Sequence, residues 1–217
     1  MSSPTSSPDR NRVGVRYVSD AVKHDHRSLE KLYTALLAGD DTGNPAGADQ
    51  QQREQLQQRF CWELARHLVA MDLFIFPGTT RRASQGNQNA KDRQAGLGLL
   101  RDKLLGLHAV VSRGRDGDGD PEGGEFREAL AGLRGDLAQH IRDVERTDMV
   151  VIEKMLSGEE SERLASDFGA TVFFIPPEVR AGPEGHEDVR APFESLEALL
   201  DASVAELMGV LEGFPRE

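Results

Sequence analysis

Apolar residues recur every three to four positions along most of this chain, a period that puts them on one face of a helix. The first such stretch runs from about Ala21 to Leu37. Ala21, Val22, Asp25, Leu29, Leu32, Tyr33, Leu36 and Leu37 carry its repeat, with Ser19 or Asp20 as cap and Gly39 as stop. A second starts polar at Gln50, turns apolar at Leu56 and Phe60, and continues to Pro77, which cannot extend a helix. The third covers about Ala90 to Val111, although Gly96 and Gly98 weaken it by about 1 kcal/mol each relative to Ala. The fourth, Glu125 to Leu156, is the most regular, from Phe126 through Leu137, Ile141 and Val144 to Ile152. From Gly158 the repeat shortens, and the apolar run ATVFFIPP (170–177) reads as an extended strap across the helices, because its Pro-Pro pair forbids continuing a helix. Two short amphipathic helices close the chain over 192–215.

The pattern predicts an all-α protein, an up-down four-helix bundle with a C-terminal extended strap and short helices. Its parts are a disordered lead-in over 1–18, the bundle over 19–157, and an extension over 158–217 packed on the bundle. No internal repeat or second core is evident, and 217 residues are enough for one substantial domain.

One position in the apolar stripes is out of character. Leu64, His67, Leu68, Met71 and Ile75 share a face, so the His67 imidazole points where a core residue would. His26, three residues before Leu29, and His140, on the fourth helix with Glu145 nearby, have the same character. Three helices that each turn one histidine inward can assemble a metal site at the centre of a bundle. The plainer reading is a set of neutral, hydrogen-bonded core histidines. Glu63 stands one turn before His67 and is placed either to orient that ring or to face solvent, and His24 should face solvent.

Composition narrows the remaining classes. Thirty-seven acidic against twenty-six basic residues give a formal charge of −11, which argues against nucleic acid as a partner. The single cysteine, Cys61, permits no internal disulfide and reads as packing beside Trp62. No stretch approaches a membrane span and the first dozen residues lack a secretion signal, so a cytoplasmic protein is expected. Asp116, Asp118 and Asp120 imitate a calcium loop, but its required glycine and glutamate fall on Pro121 and Arg127. The basic loop after Pro77 reads as solvated. Ser84, Ser112 and Cys61 have no base at triad-like spacing, so nothing supports hydrolysis and an enzyme is not expected.

The Asp25–His26 pair of the first helix, ELARH followed by FP in the second, and LAQHIRDVE in the fourth resemble the hemerythrin-like, HHE cation-binding family. FFIPPEV, APFESLEALL and GFP resemble the C-terminal extension of its fungal members. The resemblance implies a non-haem diiron centre held by histidines and carboxylates, with His26, His67, His140 and Glu145 at matching positions. It also marks departures. The bridging carboxylate of the second helix falls on Met71, with Asp72 turned away by about 100°. The ligand pair of the third helix falls on Gly96 and Leu100, with His108 about three turns further on. The expectation is a degenerate site holding one non-haem iron through His26, His67 and Glu145, with His140 as a fourth ligand, that binds or senses oxygen, nitric oxide or redox state. The alternative is a metal-free scaffold or interaction protein with a decayed site.

Overall fold

The computed structural model describes residues 17–38, 47–77, 86–115, 123–181 and 191–213, and every regular element among them is helical. The four bundle helices are α1 (Val18–Ala38), α2 (Gly47–Ala70), α3 (Gly86–Arg115) and α4 (Gly124–Asp143). Each packs against the next in the chain. The Tyr33 hydroxyl of α1 donates to the Leu130 carbonyl of α4 at 3.3 Å, which ties the first helix to the last. Gly123 precedes α4 with φ +68, a left-handed conformation that glycine adopts without the Cβ clash other residues meet.

Helices α2 and α4 do not end as straight α-helices. Each passes into one wider π turn, Met71–Ile75 after α2 and Val144–Asp148 after α4. There the Phe76 and Met149 N–H groups reach back five residues, to the Met71 and Val144 carbonyls. Beyond the second π turn the chain continues as α5 (Met149–Met155).

The C-terminal part is more helical than the sequence suggests. A reciprocal capping box between Ser157 and Glu160 starts α6 (Gly158–Ala170). The ATVFFIPP run, expected as an extended strap, instead forms a 3-10 turn over Thr171–Phe174 and then α7 (Pro177–Ala181), with Ile175 extended between them. Proline is tolerated in a first helical turn, where its missing N–H would have no partner anyway. Two short helices follow, α8 (Leu196–Asp201) and α9 (Val204–Glu212).

These elements are built into the fold. Leu196 and Leu199 of α8 are fully buried, and α8 packs on α2. The first N–H groups of α1, which no helical carbonyl can satisfy, are met from the C-terminal side. Val18 donates to Ser161 Oγ and Ser19 to a Glu153 carboxylate oxygen, each at 3.0 Å.

The core has two apolar clusters. The larger one holds Leu29, Phe60, Leu64, Leu104, Leu133 and Phe174, and the smaller one Val22, Met71, Ile75, Val144 and Met149. Along α1, α2 and α4 the switch from one cluster to the other falls next to His26, His67 and His140. A polar layer therefore lies between two apolar ones. No helix among the described residues is long and apolar enough to cross a membrane. The acidic loop at 116–120 and the basic loop after Pro77 lie outside the described residues, as does nearly all of the lead-in.

Candidate metal centre

His26 and His67 are almost wholly buried, at 1% and 0% exposure, and His140 is half-buried. One ring nitrogen from each lies within 4.8 Å of the others. The ring centroids are 5.0 Å apart for His26 and His67, 5.2 Å for His67 and His140, and 5.9 Å for His26 and His140. The three rings meet edge to face, so their nitrogens converge without stacking.

The outer nitrogens explain the orientation. His67 Nδ1 is 2.7 Å from Asp25 Oδ2 and His26 Nδ1 is 2.9 Å from Glu145 Oε1. A carboxylate can only accept, so in both rings Nδ1 carries the hydrogen and Nε2 presents a lone pair inward. His67 Nε2 lies 3.0 Å from His140 Nε2, and in the protein alone His140 supplies that hydrogen. His26 Nε2 has no partner although it is buried. An orphaned acceptor deep in a protein needs explanation, and a cation among three imidazoles supplies one.

Electrostatics favour the neutral rings that metal binding requires. Burial, with His67 as neighbour, lowers the His26 pKa from 6.5 to about 4, while Glu145 pulls the other way. Burial also holds His140 well below its ordinary value. Asp25 is the opposite case: burial alone would raise its pKa, but Arg66 and His67 outweigh burial and keep it ionised.

Arg66 is the residue whose part the sequence does not announce. It is 5% exposed about one turn before the C-terminal end of α2. Its Nη2 donates to Asp25 Oδ1, its Nε to Glu63 Oε2 at 3.2 Å, and its Nη1 to Thr171 Oγ1 at 3.2 Å. Glu63 therefore serves Arg66 and not the His67 ring. Asp25 is legible in the sequence as a polar break in the α1 stripe and as the neighbour of His26, but its bond to the His67 ring is not. For Arg66 the one available signal is a charge placed among the apolar residues of α2.

The remaining expected positions separate clearly. Glu145 lies against the outer nitrogen of His26, behind the cluster, and not among the converging nitrogens. Met71 is fully buried in the smaller apolar cluster, and Asp72 is exposed even though the helix is distorted there. Leu100 is buried in the larger cluster and Gly96 faces open space. His108 bonds Glu197 of α8 at 3.1 Å, and His24 is exposed. Cys61 is fully buried with its thiol pKa pushed up to about 12, which removes the reactive thiolate.

A cavity of about 370 Å³ adjoins His140 between α3 and the second π turn. Asp148, 1% exposed, lies there with its carboxylate paired to Arg93, Nε to Oδ2 at 2.5 Å. Burial raises the Asp148 pKa to about 6 against the pull of Arg93.

The profile of the hemerythrin HHE cation-binding domain matches residues 18–149. An uncharacterized hemerythrin-like protein of Schizosaccharomyces pombe is 27% identical over 199 residues, 91% of this chain and 88% of that protein. No solved structure matches.

Proposed function

Because this chain belongs to the hemerythrin HHE cation-binding family, we propose that it binds one non-haem iron through Nε2 of His26, His67 and His140. The single observation that carries this reading is the buried, partnerless Nε2 of His26, a ring held from behind by Glu145 and set beside the imidazoles of His67, which Asp25 orients, and His140. Asp25 and Glu145 supply the outer hydrogen bonds that hold ligating histidines in one tautomer and raise their basicity. Glu145, expected as a ligand, acts in this reading from behind His26.

One ion fits the donor set better than two. A bridging second cation would draw on Met71, Gly96 and Leu100, whose side chains offer no anionic oxygen and no imidazole. Iron held by nitrogen ligands with positions left open supplies one-electron chemistry and a place for a small molecule such as oxygen or nitric oxide. The role we assign is binding or sensing, and among the described residues no nucleophile with its base stands beside the cluster to name a reaction.

Metal analysis of protein purified from iron-supplied cells tests the reading. About one iron per chain is expected, lost in His67→Ala and in His140→Ala. A native protein free of metal under those conditions overturns it and favours the scaffold reading, in which the histidines only pack.

A further inference from the structure

The cavity beside His140 is the place to look for what reaches the metal. Of the three histidines, only His140 lines it, and only His140 is partly exposed. The cluster is thus closed on the His26 and His67 sides and open on one. Gly96 lines the cavity, and a Cβ built there meets no atom within 4 Å.

The walls set the chemistry of the occupant. Among the described residues, Asp92, Asp136, Asp143 and Asp148 line the cavity together with one guanidinium, that of Arg93. Arg93 is engaged with Asp148, and Lys103 from outside engages Asp136. A surplus of carboxylates opposes entry of a small anion and leaves an uncharged molecule unopposed. We infer that this cavity is the entry path and binding place of a small uncharged ligand on the His140 side of the metal. The cavity opens where α3 contributes no donor. This inference rests on the metal reading above for the ligand's destination, but the access it describes belongs to the protein alone.

Two measurements test it on the full-length chain. Gly96→Phe places a ring in the cavity without backbone strain, since the helix gains a better former than glycine. Gly106→Leu, an exposed helical glycine on α3 with equally open surroundings, is the control.

In metal-free protein, acylation of His140 by diethyl pyrocarbonate, a small neutral reagent, is followed by peptide mass mapping. His140 is expected to react faster than His26 and His67, and Gly96→Phe to slow it at least tenfold while Gly106→Leu does not. An unchanged rate in Gly96→Phe overturns the access path.

In cobalt-loaded protein at pH 8, where imidazole is mostly neutral, titration follows the d–d spectrum. Imidazole is expected to bind at least tenfold more tightly than azide, with its affinity cut at least tenfold in Gly96→Phe at unchanged cobalt content. Equal affinities, or an unaffected imidazole titration, overturn the assigned ligand class. Failure to load cobalt overturns both the metal reading and the ligand assignment, whereas normal loading with failed discrimination overturns only the latter. The acylation result decides the access path in either case.

Discussion

At the residue scale the site depends on a chain of contacts running outward from the histidines. Asp25 touches His67 on one side and Arg66 on the other, all three buried. Asp25→Asn keeps the shape but removes one of the two carboxylates that offset Arg66, leaving Glu63 as the other, and weakening a buried ion pair in this way should cost at most about 3 kcal/mol. Urea unfolding should show that loss, and iron affinity should fall roughly 10- to 100-fold, as is usual when an outer hydrogen bond to a ligating histidine is weakened.

Acidity gives a second residue-scale outcome. Between about pH 4 and 6.5 the unfolded chain holds a proton on His26 that the native state does not, so stability rises with pH across that window. His140 contributes with the same sign. Asp148 opposes them: its native pKa of about 6 exceeds the ordinary 3.8, so its contribution falls as pH rises between those values. Asp148→Asn should therefore steepen the rise in unfolding free energy between pH 4 and 6, measured in metal-free protein by urea denaturation at successive pH values.

The sequence exposes the three histidines because each interrupts an apolar stripe, but it does not show which nitrogen faces inward. That depends on Asp25 and Glu145, whose direction is set in three dimensions. Arg66 is hidden by the same logic, since a charged residue among apolar ones reads as a solvated edge until its partners from α1 and the Thr171 turn are seen.

At the scale of elements, the bundle helices are legible from spacing because burial of one face decides them. Their ends are not, since capping partners lie far away: the first N–H groups of α1 meet Ser161 and Glu153. ATVFFIPP misleads for a related reason. Consecutive apolar residues have no period, and the 3-10 turn they form is held partly by the Thr171 hydroxyl bonding the Phe168 carbonyl at 2.6 Å. The C-terminal helices should carry real stability. Leu199→Ala, a fully buried position against α2, is expected to cost about 2–5 kcal/mol by chemical denaturation. Gly123→Ala should cost about 1 kcal/mol, because φ +68 admits a Cβ only with strain.

At the scale of the whole molecule, the two apolar clusters with a polar layer between them make metal binding a linked equilibrium. An ion that binds only the native state stabilises it by mass action, about 2.7 kcal/mol when free metal exceeds the dissociation constant a hundredfold. Melting temperature should thus climb with added ferrous iron under anaerobic conditions, and the rise should vanish in His67→Ala. A rise that persists in that variant would place the ion elsewhere.

The two π turns begin four residues after His67 and four after His140, and each lodges one surplus residue in its helix. One residue can consequently be given up there without turning the helix beyond it. Asp72→Ala, at an exposed position, should be nearly silent. Deleting Asp72 should likewise be tolerated, because without its surplus residue the turn can close as ordinary α-helix and Ile75 still faces the interior.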